Sequence, residues 1–419
     1  MKTEAEKGIT VIALITAICM LGDAMLYIVL PVYWKDFGLT SIWQVGVLLS
    51  VNRFVRLPLT PFVGWLYHRI SKRTGVLIAV SLAVLTTFSY GVLNGFWVLL
   101  IMRCLWGVAW AFLRLGGYLT VLDASDEHNR GFLIGKYNGL CGLGGLAGML
   151  AGGILADLIG IEVVTLVFAA AALISILFVF RYVPSNVGYN EKTTKEKEAF
   201  RQIWKKKNVI AVMITGMLIA AVFFGIFMST LSRMIEVFYS DSLSLFGIAF
   251  GAATLAGIIQ AIRWGLDPFL APRFGRLSDG KSGRTPFLIT ALFLGGGLFI
   301  ILSLDLPLLV WIVVLLCLQL TSTMIITVTD SLTTDVASSS NKVAVMTMYT
   351  VVVDVGAAIG PVLGYLLSEF FNISVLYWIT GGLLLSMGAF WLIKGGHTGY
   401  TQRILNDMQR RLQKERAKL

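Results

Sequence analysis

Long apolar runs recur twelve times along the 419 residues, near 9–34, 43–66, 75–94, 96–121, 131–157, 161–181, 209–238, 243–272, 286–304, 307–333, 342–369 and 373–393. Each is close to the roughly 20 apolar residues that span a bilayer as a helix. The runs are apolar on all sides and do not alternate as barrel strands do. Helices also satisfy their own backbone groups in lipid. The pattern therefore predicts an all-α membrane protein with twelve transmembrane helices. Loops on one side are short, at 35–42, 94–96, 159–162, 239–242, 305–306 and 370–372. The first run is too long for a secretory signal and no small-x-small cleavage pattern follows it, so it is expected to remain as the first span.

The chain repeats itself. Asp123, Asn129, Arg130, Tyr137, Gly144 and Gly148 recur 212 residues later as Asp335, Asn341, Lys342, Tyr349, Gly356 and Gly360. Pro61, Gly64, Leu66 and Arg73 recur 211 residues later as Pro272, Gly275, Leu277 and Arg284. The expected organisation is an N-terminal six-helix bundle (1–181), a cytoplasmic linker (182–208), a C-terminal six-helix bundle (209–393) and a basic cytoplasmic tail (394–419). Paired six-span units with a substrate path between them are a transporter architecture.

Composition agrees: 57% of residues are hydrophobic and only 14% charged, against about 25% charged in soluble domains. The net charge of +11 suggests nucleic acid until its distribution is read. Of 34 Lys and Arg, 26 fall on one side of the spans or at their edge there (Arg181 and Lys342), seven lie deeper within spans and only Lys35 lies on the other side. This is the positive-inside pattern, which places both termini and the linker in the cytoplasm and excludes a nucleic-acid partner. Cys19, Cys104, Cys141 and Cys317 all fall within spans, so no disulfide framework is implied. Phe200, Ile203 and Trp204 in the linker share one helical face, as do Ile404, Leu405, Met408 and Leu412 in the tail. Both suggest helices lying on the bilayer surface.

The loop after span two reads Gly64-Trp65-Leu66-Tyr67-His68-Arg69-Ile70-Ser71-Lys72-Arg73, and that after span eight Gly275-Arg276-Leu277-Ser278-Asp279-Gly280-Lys281-Ser282-Gly283-Arg284. The second resembles the signature G-x-L-x-D-x-[RK]-x-G-[RK] of the major facilitator superfamily. In the first, the acid and the glycine are missing. Arg103 and Gly107 in span four resemble the family's R-x-x-x-G. Gly144-x-x-x-Gly148-Met149-x-x-Gly152-Gly153 in span five resembles the G-x-x-x-G-P-x-x-G-G of its drug/proton antiporter branches, with Met149 at the Pro place. Span eleven carries Gly356-x-x-x-Gly360-Pro361-x-x-Gly364 at the repeat-related position. The resemblance implies a gating role for Gly64, Arg69, Arg73, Arg103, Gly148, Gly275, Asp279, Lys281, Gly283, Arg284, Gly360 and Pro361. Gly275 to Ser282 also fits a phosphate-binding loop, but that motif works between a strand and a helix of a soluble domain, and a span precedes it here.

A charge at mid-bilayer costs roughly 2.5–3.5 kcal/mol even on a lenient scale, so each one asks for a purpose. Asp23 in span one, Asp354 in span eleven and Asp330 near the inner end of span ten are candidate proton-coupling acids, with Asp23 first. Arg53 and Arg56 lie three apart on one face of span two beside Asn52. They meet either a protein acid or an acidic substrate. With Arg114 and Tyr27 they form the candidate substrate-binding set. Trp110, Phe112 and Tyr349 are further aromatic candidates for a cavity lining. Arg233 with Glu236, and Arg263 with Asp267, have the spacing to pair within their own helices.

The expected function is secondary transport by alternating access: proton-coupled export of a small organic molecule or drug. The alternative is an organic anion, such as a siderophore-like or carboxylated metabolite, bound by Arg53, Arg56 and Arg114. An unpaired Asp23 favours cationic or neutral cargo; unpaired arginines favour anions. The expected partners are the small-molecule substrate, protons and the lipid bilayer. The protein is expected to be a monomer of the inner (plasma) membrane, with no catalytic constellation, cofactor or metal site. Topology has a direct check. In intact cells a membrane-impermeant thiol reagent should modify a cysteine placed in 159–162 and spare one placed in 192–197. The opposite pattern would invert the orientation.

Overall fold

The computed structural model describes residues 2–124, 130–183, 185, 207–239, 244–245, 248–249, 251–279, 283–338 and 342–416. Six helices form the first repeat: α1 (Lys2–Val29), α2 (Trp43–Tyr67), α3 (Lys72–Val92), α4 (Phe96–Ala124), α5 (Arg130–Ile159) and α6 (Ile161–Tyr182). The second repeat opens with α7 (Lys207–Ala220), which passes through a π-helical turn (Ala221–Phe227) into α8 (Met228–Tyr239) as one rod. It continues with α9 (Ala252–Ser278), α10 (Arg284–Leu302), α11 (Leu308–Ser338), α12 (Lys342–Phe370) and α13 (Ile373–Arg416). Counting the α7–α8 rod once, this is the predicted order of two sets of six helices. Among the described residues, ten helical segments are long and apolar enough to cross a membrane. The remaining two, α2 and α9, are the repeat-related second helices. At 25 and 27 residues they are long enough, but they carry Asn52, Arg53 and Arg56 in one and Gln260, Arg263 and Asp267 in the other.

Local chemistry sets the boundaries. Ser71 caps α3 by accepting from the Thr74 N–H at 3.1 Å, supplying one partner the helix start lacks. Gly160, at φ +85°, makes the sharp turn between α5 and α6 in a conformation a side chain would oppose. Two expected boundaries move. The first helix ends at Val29 rather than 34, because 30–38 close on themselves as turns. The eighth span begins at Ala252, not 243; ahead of it Ser244–Leu245 pairs antiparallel with Ile248–Ala249. The surface helix expected around Phe200, Ile203 and Trp204 lies outside the described residues. The tail continues α13 to Arg416, and its side chains beyond Lys394 likewise lie outside them.

Packing forms two compact units. One comprises 1–266 and 343–372, the other 267–342 and 373–419. The first therefore holds all of the N-terminal repeat together with α7, α8, the start of α9 and nearly all of α12. Within it α1 packs along α5, α3 along α6 and α4, and α2 along α4. The α1–α5 contact is a ladder of small residues. Gly144, Gly148 and Gly152 face Ala17, Leu21 and Met25, each step four residues on both helices. The ladder recurs between α12 and the α7–α8 rod, where Gly356 meets Met217 and Gly360 meets Gly225. Small residues at this spacing let backbones touch without a hydrophobic driving force. In the second unit α10 packs on α11 and α13, with Trp311 fully buried and its indole N–H donating to the Leu302 carbonyl at 3.0 Å.

The repeats also cross in matched pairs within the first unit. A Cβ on Gly46 of α2 would lie 2.5 Å from the Pro361 carbonyl oxygen of α12. One on Gly257 of α9 would lie 2.7 Å from the Met149 carbonyl oxygen of α5. Gly46 and Gly257 are repeat-related, and so are Met149 and Pro361. The contact uses a carbonyl, which Met and Pro both possess, so Met149 keeps the interaction without the ring. Replacing Gly46 by Leu should therefore cost about 1–3 kcal/mol of overpacking. Thermal unfolding in detergent should show a lowered Tm for Gly46→Leu and an unchanged one for Gly135→Leu, where the added Cβ meets nothing within 4 Å. Equal behaviour of the two would refute the crossing.

Candidate functional site

A cavity of about 170 Å³ opens in the first unit. It is lined from α1 by Met20, Asp23, Ala24 and Tyr27, from α2 by Asn52, Arg53 and Arg56, and from α4 by Trp106 and Trp110. Gly142, Gly145 and Met149 of α5, Phe224 of the π-helical turn, Met228 of α8 and Trp264 of α9 complete it. Four of the residues proposed from sequence for substrate binding, Tyr27, Asn52, Arg53 and Arg56, thus meet in one place with Asp23.

The two acids in this region are both taken. Asp23 forms an ion pair with Arg103, whose side chain is only 1% exposed. Arg103 also donates from Nε to the Leu48 carbonyl at 2.8 Å, and Asn52 donates weakly to Asp23 at 3.4 Å. These contacts cross-brace α1, α2 and α4. Asp354 receives Arg56 at 2.6 Å, with side-chain exposures of 25% and 15%. That bond joins α2 of the first repeat to α12 of the second. Neither pair is local in sequence; they join residues 80 and 298 positions apart.

Arg53 is different. Its guanidinium lies 5.8 Å from the centre of the Tyr27 ring, and among the described residues it has no carboxylate in ion-pair range. Tyr27 is held in turn by donating to the Leu49 carbonyl at 3.2 Å. The cavity also holds hydrogen-bond donors to spare: among the described residues the indole N–H groups of Trp110 and Trp264 have no partner. The Asn52 amide oxygen is a lone unsatisfied acceptor. Neutral aromatic walls, surplus donors and one unpaired cation favour a ligand with acceptor oxygens and an apolar body.

Other proposed residues sit elsewhere. Arg114 is not part of this lining; it lies over the Tyr118 ring at 5.8 Å. Phe112 packs edge-on to Tyr67, and Tyr349 packs on Gly216, so neither lines the cavity. Asp330 is an exposed residue of α11 in the second unit. Trp106, Phe224, Met228 and Trp264 were missed, since an aromatic or Met in a uniformly apolar helix has no periodicity to mark its face.

Each loop signature is tied down by ion pairs within its own repeat. Asp279 accepts from Arg284 at 2.8 Å, and Arg284 also meets Asp335 at 2.7 Å and the Ser331 carbonyl at 2.6 Å. In the first repeat, Lys72 pairs with Asp123, the repeat counterpart of Asp335, while Arg73 donates to the Val183 carbonyl at 2.9 Å. The N-terminal copy thus keeps an ion pair although its signature acid is missing. Arg69 lies over the Trp65 ring at 4.2 Å. Gly64 has only the Leu115 side chain near its added-Cβ position, at 3.9 Å. Gly283 precedes α10 at φ +76°, and Lys281 lies outside the described residues. Arg233 pairs with Glu236 at 2.6 Å as its spacing predicts, and Asp267 accepts from the Thr323 hydroxyl.

Known proteins share this plan. The family model described as Major Facilitator Superfamily matches residues 12–267 and 268–407. Multidrug resistance protein MdtG of Salmonella paratyphi A (strain ATCC 9150 / SARB42) is 24% identical over 382 residues, covering 88% of this chain and 91% of that one. MdtG of Klebsiella pneumoniae (strain 342) is 26% identical over 297 residues, 68% of this chain and 69% of its own. The crystal structure of the nucleoside transporter NupG superposes with a TM-score of 0.75 at 13% identity, covering 93% of this chain and 98% of that one. An inward-facing, unoccupied bacterial homolog of the human lysosomal transporter Spinster gives 0.71 at 16% identity, with 94% and 96% covered. With a duplicated six-helix plan, matched repeat crossings and a family model spanning nearly the whole chain, this protein is a multi-pass membrane transporter of the major facilitator superfamily.

Proposed function

We propose that the protein exports a small organic molecule that joins an anionic group to an apolar or aromatic body. One observation carries this reading: among the described residues Arg53 lines the cavity with no carboxylate in ion-pair range, while Asp23 and Asp354 are each already held by an arginine. A buried cation without a direct ion pair is costly, and a carboxylate or phosphate on the cargo would meet it. The tryptophans and Tyr27 would hold the remainder of the molecule. Export is the direction suggested by the name of the MdtG relatives. The membrane is the inner (plasma) membrane, with both termini in the cytoplasm, and alternating access moves the cargo.

Proton coupling has a route through the same residues. A proton on Asp354 would free Arg56, and one on Asp23 would free Arg103, so each pair can trade its internal salt bridge for a proton or for cargo. A second reading, drug efflux without preference for anions, is favoured by the MdtG relatives.

Arg53→Ala should separate the two. A charge-assisted hydrogen bond is worth about 1.5–3 kcal/mol, so efflux of carboxylate-bearing probes should fall about tenfold to a hundredfold. Neutral and cationic dyes should leave vesicles at the wild-type rate. Equal losses for all probes, or a loss confined to cations, would reject the anion reading in favour of general drug efflux.

A further inference from the structure

At the end of the molecule that carries loop 30–42, two acids occupy matching places. Asp157 lies in the last turn of α5 and Glu369 in the last turn of α12, and they are 212 residues apart, the offset of the repeat itself. An acid there is unexpected on local grounds, because the C-terminal end of a helix is its negative end. The explanation lies across the gap. Asp157 accepts from the Thr254 backbone N–H at 2.8 Å and the Thr254 hydroxyl at 2.5 Å, and its other oxygen accepts from the Tyr33 hydroxyl at 2.6 Å. Thr254 is the third residue of α9, so its N–H is one of those a helix start leaves without a partner. The carboxylate also meets the positive end of α9. Gly251 leaves the room it needs, since a Cβ there would run into the Asp157 carboxylate. Glu369 makes the counterpart contact, accepting from the Ser41 hydroxyl at 2.5 Å just ahead of α2.

We infer that Asp157 and Glu369 are a duplicated latch that holds this end of the transport path shut. Each acid ends the fifth helix of one repeat and grips the start of the second helix of the other. These are the helices whose backbones touch through Gly257 and Met149, and through Gly46 and Pro361. The bonds from Thr254 and Ser41 exist only while the repeats touch at this end, so opening it breaks them; Tyr33 belongs to the same repeat as Asp157 and keeps its bond. The two catches are unequal. Asp157 is half-buried and takes two donors from the other repeat; Glu369 is exposed and takes one. The Asp157 catch therefore dominates the balance between shut and open. The inference rests on alternating access and is independent of the chemistry of the cargo.

Spin labels at the exposed residues Lys35 and Asn372 report this end directly. Pulsed electron-spin distances on the full chain in lipid nanodiscs should show a short, closed population for the parent protein. Asp157→Asn removes the charge that faces the positive end of α9 and leaves only neutral bonds from Thr254, and should raise the open-to-closed ratio about tenfold. Thr254→Val, which removes one hydroxyl, should shift it in the same direction, and Thr254→Ser should not. Glu369→Gln should act weakly alone and add to Asp157→Asn. Unchanged distances in both Asp157→Asn and Thr254→Val would overturn the latch, as would a larger effect from Glu369→Gln than from Asp157→Asn. If Asp157→Asn fails to fold, Thr254→Val decides alone. Failure of both to fold would make the contact a structural brace and overturn the latch as well.

Discussion

The need to neutralise charge in hydrocarbon organises this protein. Arg103 is almost completely withdrawn from solvent, and an isolated guanidinium there would be prohibitively costly. Asp23 removes that cost, and the Leu48 carbonyl takes a further donor. Because the three groups sit on α1, α4 and α2, satisfying one charge fixes three helices. The Arg56–Asp354 bond applies the same demand between the repeats. A fold held this way has few neutral alternatives. Moving any of these helices independently would strand a charge, so motion must carry the pairs intact or exchange their partners. What remains after the pairing among the described residues, the Arg53 guanidinium, two unpartnered indole N–H groups and the Asn52 amide oxygen, is the part of the polar inventory available to cargo.

The glycine ladders complement this. They bring α1 onto α5 and α12 onto the α7–α8 rod through backbone contact. Such contacts are flat and store little side-chain interlock, so they are surfaces along which helices can slide. The charges therefore specify which helices belong together, and the glycines permit how they move.

Much of this was written in the linear chain, for a physical reason. Apolar runs long enough to span a bilayer are unmistakable, and identical residues recurring at 211–212 exposed the duplication. The ion pairs were only half legible. A charge inside a span announces that it needs a counter-charge, but the partner lies 80 or 298 positions away, and no spacing rule reaches so far. Asp23 was therefore read as a candidate coupling acid with its partner left open, and that partner is Arg103 of α4. Asp157 and Glu369 were missed because the repeat preserves their chemistry and not their identity. Comparing acid with acid at the 212 offset would have found them. The cavity walls were the least legible, since Trp264 or Met228 looks the same in sequence whether it faces lipid or cargo.

The π-helical turn at Ala221–Phe227 has a bearing on how the seventh span works as a part. A turn with i→i+5 bonds holds an extra residue, and such insertions often lie at functional sites. Each residue of a regular helix advances the direction of its side chain by about 100°, so the bulge acts as a phase shifter within a single rod. Upstream of it Gly216 keeps its face to Tyr349; within and beyond it Phe224 and Met228 face the cavity, and Gly225 meets Gly360. Were the extra residue one turn further along the rod, the intervening side chains would point away from their present neighbours. The extra residue in the seventh span thus decides which of its side chains form the cavity wall and which seat against Tyr349 and Gly360.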